Sequence, residues 1–496
     1  MIESSSSRQT PVSGSLGERR IGIVGAGFTG ALLAVHLVRQ ARTPTHILLF
    51  DRSGRFGPGL AYQTDDQSHL LNVRAANMSA FPDQPDHFVR WLDPLDVSAS
   101  GIGASGQAFA TRGQYGRYLQ DVLETARQSA PSCVRFETVA AEITRLEPTA
   151  TGHQLVDGDG TQYSVDDVVL CLGNFPPRPP ALTNPTAFDD PGSVINNPWD
   201  TAAIQAIRPD QSVLILGSGL TMVDVVVTLA RQGHHAPLTV LSRHGLLPAI
   251  HRVCPPWPGF VGKTALPETI SARLALVRAE VRRAAAQGVD WRSVVDSLRP
   301  YLPDLWRSLS LAEKRRFLRH LRPYWDVHRH RMAPEIAEIL GRLLVQERLT
   351  LTVGRLVELQ QAQKGVVATL RPRGTDTTTT LTVDWVINAT GLASDIRQIP
   401  DVLVRSLLRD GTVRPDPLAI GLDVSDEGHL IDQNGQKIPG LYALGPLTRS
   451  AWWEITAVPE LRNQAAQFAR LFTGSAHTHR ALMGNPKARW SHTIEP

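Results

Sequence analysis

Three glycines and an acid are the residues best placed to do chemistry in this chain. Gly25, Gly27 and Gly30 stand in the run Gly25-Ala26-Gly27-Phe28-Thr29-Gly30, and Asp51 follows about 20 residues later. Gly25 allows a tight turn, Gly27 lets backbone N–H groups approach a pyrophosphate, and Gly30 lets a following helix pack close to its strand. A helix starting here adds positive potential for phosphates, and Asp51 can accept both hydroxyls of an adenosine ribose. A second set lies downstream. Gly217-Ser218-Gly219-Leu220-Thr221-Met222 keeps the two phosphate-facing glycines and puts Met222 where the third would stand. Its acid is replaced by Ser242 and Arg243. A guanidinium there can grip a 2′-phosphate and stack on adenine, which favours NADPH over NADH.

Both sets need a strand–turn–helix–strand frame, and the apolar pattern supplies it. Ile21, Ile23 and Val24 precede the first turn and Ile47 to Phe50 precede Asp51; Val213 to Leu216 and Leu238 to Leu241 repeat the arrangement. Helices are expected at Asp86 to Trp91, at Gly113 to Gln128, and from Thr456 to about Phe472, the last with Pro459 in its first turn. Val134 to Leu146 and Gln154 to Tyr163 read as antiparallel strands, with a turn at Asp157 to Gly160. Trp385 to Gly391 is an apolar strand ending on a glycine turn, like Val168 to Gly173. From Pro267 to Arg348 leucine, alanine and arginine recur at three- and four-residue spacing, a helical insertion. A proline-rich linker, Phe175 to Pro180 and on to Trp199, separates the two sets. The expected fold is α/β, with two Rossmann-like dinucleotide-binding domains, the second inserted into the first and carrying the helical insertion. Residues 20–180 and 385–475 make the first domain and 200–384 the second, with the insertion at 267–348. Residues 1–19 read as a disordered tail and 476–496 as a loose one.

Composition narrows the function. The 496 residues carry 51 Lys and Arg against 47 Asp and Glu, so the net charge of +4 is no nucleic-acid footprint. Cys133, Cys171 and Cys254 lie far apart with no CxxC, which excludes a zinc ribbon or a redox dithiol and suits a reducing cytoplasm. The Ser-rich start lacks the apolar core of a signal peptide. Val213 to Ala230 is broken by Gly217, Gly219 and Asp224, so no membrane span is expected. His328 and His330 are two apart and flanked by arginines, so no metal site is expected; that segment reads as an anion- or cofactor-facing cluster or as plain surface.

Two dinucleotide units on one chain suit a hydride relay from a nicotinamide to a bound flavin. The residues also resemble a known family. Gly25 to Gly30, Gly57 to Tyr62 and His69 to Val73 are similar to its N-terminal part. Leu241 to Gly245, Asn388 to Gly391 and Leu441 to Arg462 are similar to the remainder. It is the bacterial two-dinucleotide FAD/NAD(P)-binding flavin monooxygenase family, which includes FAD-dependent urate hydroxylase and nitrosuccinate-forming aspartate N-hydroxylases. The resemblance implies FAD at Gly25, Gly27, Thr29, Gly30 and Asp51, and NAD(P)H at Gly217, Gly219 and Arg243. It sets Gly59, Ala61, Tyr62 and Asn72 beside the isoalloxazine. Thr390 and Gly391 would mark the hinge where strands return to the FAD unit, and Gly445 would approach the ribityl chain. Pro446 stands where many flavoproteins carry an acid, so Thr448 or backbone must substitute. Asn196-Asn197 stand where ketone-oxygenating relatives carry a histidine.

The expected activity is FAD-dependent, NAD(P)H-consuming hydroxylation of a small polar substrate, with O2 adding at flavin C4a. An NAD(P)H:acceptor oxidoreductase without oxygen insertion and a non-catalytic flavin-binding regulator are the alternatives. Urate leads as substrate: Arg449 would hold its charge and Trp452 or Trp453 its flat ring. An aspartate-like amino acid would want further arginines, Arg74 and Arg112. His69 and Glu454 are the candidate general bases. Neither a nucleic-acid nor a membrane partner is expected, and oligomeric state is left open.

Overall fold

The computed structural model describes residues 17–92, 106–180, 182, 192–262, 266–393 and 395–473. Of the two expected tails, all but residues 17–19 lie outside that set, as does the start of the linker segment 188–199.

The first unit opens with β1 (Arg19–Val24), α1 (Phe28–Gln40) and β2 (Thr45–Phe50). β1 and β2 pair in parallel, Val24 opposite Phe50, which brings the first glycine turn level with Asp51. Every residue of β2 is buried, as is α1 from Phe28 to Val38, because a helix apolar on all sides must be covered on all sides. Each fully buried Leu or Ile there contributes roughly 1.5–3 kcal/mol. Next come α2 (Gly59–Tyr62), α3 (His87–Leu92) and α4 (Arg112–Gln128), the last started by a capping box between Thr111 and Gln114. Then β3 (Val134–Val139) joins β2 in parallel. The antiparallel reading of Val134 to Leu146 is therefore corrected: its first half is an edge strand of the main sheet. Its second half, β4 (Ile143–Pro148), forms an antiparallel meander with β5 (His153–Asp157) and β6 (Gln162–Val165). β7 (Asp167–Leu170) returns to lie parallel to β1.

The chain now crosses to a second sheet. It passes β8 (Val194–Ile195), α5 (Thr201–Gln205), β9 (Val213–Leu216), α6 (Leu220–Arg231) and β10 (Leu238–Ser242). Six helices follow in the expected insertion: α7 (Ile270–Ala285), α8 (Trp291–Ser297), α9 (Leu302–Arg307), α10 (Leu311–His320), α11 (Arg322–Arg329) and α12 (Pro334–Val345). β11 (Leu349–Gln361) pairs in parallel with β10 and then antiparallel with β12 (Val366–Pro372), to which β13 (Thr379–Val383) is added. β14 (Trp385–Asn388) lies parallel to β9, Asn388 opposite Leu216, with β8 on its other side. This moves the expected boundary at residue 385. β14 belongs to the second unit because it stands to β9 as β7 stands to β1, and the return follows Asn388.

The remainder completes the first unit with α13 (Val402–Arg409), β15 (His429–Ile431), β16 (Lys437–Ala443) and α14 (Val458–Thr473), which packs along α1. Strand order is β15-β16-β7-β1-β2-β3 in the first sheet and β13-β12-β11-β10-β9-β14-β8 in the second. The expected α/β fold with two dinucleotide-type units is therefore what the chain adopts. Among the described residues no helix is long and apolar enough to cross a membrane.

Candidate functional site

At the first turn the glycines are sterically obligatory. Gly25 has φ +100°, and a Cβ there would lie 2.5 Å from the Cys171 carbonyl oxygen. A Cβ on Gly30 would lie 1.9 Å from the Gly25 oxygen. Gly27 faces Gly59, whose own Cβ would approach the Gly27 Cα to 2.9 Å. Gly445, at φ +73°, is packed against Thr29, where a Cβ would meet Oγ1 at 2.8 Å. The glycines expected at one cofactor thus converge from three parts of the chain. α1 begins at Gly27 with no side-chain cap and no acid in its first turn, which leaves its positive end for an anion. Asp51 accepts the Ala26 N–H at 3.0 Å and the Ser53 N–H and hydroxyl at 2.9 and 2.6 Å, which fixes its carboxylate across the turn.

Geometry at the second turn repeats the first. Gly217 also has φ +100°, and its Cβ would lie 2.3 Å from the Ala389 oxygen. Ala389 and Thr390 therefore flank this turn as Cys171 and Leu172 flank the first, and Thr390 and Gly391 lie where the chain leaves β14 to return to the first unit. Asn388 holds them: its Oδ1 accepts the Thr390 N–H at 3.2 Å and hydroxyl at 2.6 Å, and its Nδ2 donates to Asn196 at 2.7 Å. Asn196 is thus a linker anchor. Around Gly219 the space is open, and α6 starts there without a side-chain cap or an acid in its first turn. Met222 is fully buried in the second core. Ser218 donates to the Leu246 carbonyl at 2.6 Å and accepts the Ser242 hydroxyl at 2.8 Å, replacing the Ala26–Asp51 link. Arg243 is exposed at the strand end.

Several expected site residues do other work. Tyr62 packs edge-on to Tyr115 at 4.8 Å, and burial pushes its hydroxyl up to about 12. Ala61 lines a cleft of ≈ 720 Å³ between the two units, together with Leu60, His69, Arg112, Trp199 and Thr221. The Asn72 carbonyl accepts from His251 Nε2 at 2.9 Å, so that side of the loop holds the second unit. Thr228 donates to Asp66 at 2.7 Å, so His69 must donate from Nε2 to Thr228, at 2.8 Å, and accept the Thr64 hydroxyl at Nδ1, at 3.1 Å. His69 is thereby occupied on both nitrogens. Arg112 pairs with Asp224 at 2.9 Å, which balances its charge, whereas Arg74 donates only to the neutral Gln107.

The segment after β16 differs most from expectation. Thr448 is fully buried and donates to the Gly445 carbonyl at 2.8 Å, while Gln464 accepts the Gly445 N–H at 2.8 Å. Trp452 is buried with Arg307 over its face at 5.7 Å, and Trp453 is stacked on Trp306 at 4.7 Å. No open indole platform remains, because both rings are spent joining the helical insertion to the first unit. Glu454 is 4% exposed at φ +72° and accepts the Trp325 N–H at 2.7 Å, with Arg329 at 3.5 Å and His330 at 3.7 Å. Although burial alone would raise it, His330, Arg329 and the Trp325 hydrogen bond hold its carboxyl far below the usual range. An anion so stabilised is a poor base, which corrects its expected role.

Arg449 keeps a role. It emerges directly from the Gly445–Thr448 turn, donates to Asn174 Oδ1 at 3.2 Å, and is pushed down to about 10 by burial and then by Arg322. Burial raises Asp326, although Arg322 lies 3.5 Å away. Arg322 and Asp326 neighbour Arg449, a grouping that the sequence reading missed. Their only signal was an i, i+4 charge pair at the edge of the segment read as anion-facing.

Residues 22–175 match a family model described as FAD-NAD(P)-binding. The chain is 29% identical over 216 residues to nitrosuccinic acid synthase npaA of Aspergillus oryzae (strain ATCC 42149 / RIB 40), covering 40% of this chain and 31% of that protein. It is 29% identical over 178 residues to salicylate hydroxylase asL1 of Sarocladium schorii, covering 31% and 35%. The chain thus spans about a third of the length of these curated relatives. Its fold matches the reduced form of ornithine hydroxylase (PvdA) from Pseudomonas aeruginosa, with a TM-score of 0.62 at 18% identity over 92% of this chain and 99% of that one. The family description, FAD-NAD(P)-binding, agrees with the cofactors expected here, FAD and NAD(P)H.

Proposed function

We propose that this chain is an FAD-dependent, NAD(P)H-consuming monooxygenase that hydroxylates a small, polar, anionic substrate. The observation that carries the reading is the pairing of two uncapped glycine turns with one half-buried arginine, Arg449, leaving the first turn's own Gly445–Thr448 segment. FAD supplies the oxygen-activating chemistry when bound, and NAD(P)H the hydride. Backbone N–H groups from Gly27 to Thr29 bind the FAD pyrophosphate, Asp51 binds the ribose, and Gly59, Gly445 and Thr448 shape the channel for the rest. Gly217 shapes the second turn, and the backbone N–H groups that open α6 at Gly219 bind the second pyrophosphate.

Arg449 and Arg322, both partly exposed, hold the substrate anion by charge. The packed Trp452, Trp453 and α11 keep water from the reacting atoms. Asp326, raised by burial, takes a proton from the substrate. Urate, favoured on the expectation of an open indole face, has no such support here. Two guanidiniums beside a carboxyl favour a carboxylate-bearing amine, and the finer reading is N-hydroxylation of an amino acid. The names of two similar proteins, a nitrosuccinic acid synthase and an ornithine hydroxylase, support that reading.

The test is NADPH oxidation and O2 uptake by the FAD-loaded protein across a panel of amino acids and purines. Coupled uptake with an amino acid and a hydroxylamine product is expected. Turnover yielding only peroxide, or needing a quinone, would overturn oxygen insertion. A flavin not bleached by NADPH would overturn the redox reading altogether.

A further inference from the structure

The strand end that carries Arg243 holds more positive charge than that one residue. Ser242, the last residue of β10, pairs with Val353 of β11, and the Val353 carbonyl accepts the Arg373 N–H at 3.0 Å. The turn after β12 thus folds back beside the point where Arg243 leaves its strand. Gly245, at φ +65°, keeps the intervening chain tight against β11: a Cβ there would lie 2.7 Å from Val353 Cγ2. Both arginines are exposed, and among the described residues neither forms an ion pair with a carboxylate.

His244 lies between them. Its Nδ1 is buried without a hydrogen-bond partner, and burial, then Arg243, then Arg373 lower its proton affinity. The half-exposed ring of Tyr324, from α11, stands 6.0 Å from the His244 ring and gives the same corner an aromatic wall. Two like charges held together around an unpartnered ring nitrogen, with no acid to balance them, describe a site for a doubly charged anion.

We propose that Arg373 is a second clamp for the 2′-phosphate of NADPH, facing Arg243 across His244. The proposal rests on the reading of the second unit as the NAD(P)H site. A 2′-phosphate would neutralise both guanidiniums, whereas the bare 2′-hydroxyl of NADH leaves them unbalanced, so the pair discriminates by repulsion relieved as well as by contact made. Arg373 comes from the β12–β13 turn, outside the glycine-turn unit, which makes it a specificity residue particular to how this sheet is extended.

The experiment measures binding of 2′,5′-ADP and 5′-AMP to the FAD-loaded protein by calorimetry. Unaltered protein is expected to prefer 2′,5′-ADP. Arg373→Gln is expected to weaken 2′,5′-ADP by about tenfold while leaving 5′-AMP unchanged, and Arg373→Lys to restore part of the loss. Retained 5′-AMP binding shows that the variant is folded. An unchanged ratio of the two affinities in Arg373→Gln would overturn the clamp and leave the nucleotide site standing. Failure of the unaltered protein to bind either nucleotide would overturn both.

Discussion

Replacing Glu454 with glutamine is expected to damage stability and spare chemistry. The carboxylate is 4% exposed and faces Arg329, whose side chain is 11% exposed. Removing one partner of such a pair costs roughly 3–5 kcal/mol, because the other charge stays buried and unbalanced. Glutamine keeps an oxygen for the Trp325 N–H, which preserves about 1 kcal/mol, and Glu460, 4.0 Å from Arg329, offers partial relief. The expected loss is therefore about 2–4 kcal/mol. Its pH dependence has a definite sign. The folded carboxyl titrates far below the ordinary glutamate value of 4.5, so the stabilisation is complete above that value and drains away as acid takes the pH toward the folded one. The gap between the parent protein and Glu454→Gln should hold steady above about pH 5 and narrow below it. Urea unfolding of the FAD-loaded protein, followed by tryptophan emission, measures it. Substrate-dependent O2 uptake per folded molecule should fall less than about tenfold. A variant as stable as the parent that has lost turnover would refute this argument and return Glu454 to the role of base.

Other outcomes follow from the same geometry. Gly30→Ala sets a Cβ 1.9 Å from the Gly25 oxygen and should yield protein that no longer retains FAD, read as loss of flavin absorbance. Gly219→Ala meets no protein atom within 4 Å, so FAD content should be normal while the NADPH KM rises about tenfold as the phosphates are held off. His36 and His251 are each lowered to about 4, chiefly by burial, so the unfolded chain binds more protons between that value and 6.5. Stability should fall by up to about 3 kcal/mol per histidine as pH drops through that window, and His251→Asn should remove its share of the slope in denaturant midpoints. Arg449→Gln should raise the substrate KM by about ten- to a hundredfold in O2-uptake assays with FAD content unchanged.

The two glycine turns were legible in the chain because their requirements are local. Gly25, Gly27 and Gly30 answer to a turn, a phosphate and a helix within six residues, and Asp51 to a strand end set by parallel register. β14 was readable as a strand but not as a member of the second sheet, since an apolar run says nothing about which sheet receives it. Trp452 and Trp453 misled for a related reason. An indole suits a substrate platform and a domain contact equally well, and only Trp306 and Arg307, brought from another part of the chain, decide between them. Arg322 and Asp326 escaped because their proposed importance lies in their nearness to Arg449, more than a hundred residues away in sequence.

β8 and β14 carry the chain into and out of the second sheet, and they lie side by side, Val194 opposite Val386. Everything between them is thus a cassette with its two ends touching. Such a segment is excisable in principle by a short bridging loop, and a homologous one can be spliced in without redrawing the flavin-holding half. A lineage with this layout that exchanged the segment would replace Arg322 and Asp326 together with the second glycine turn, so both would change in one recombination step.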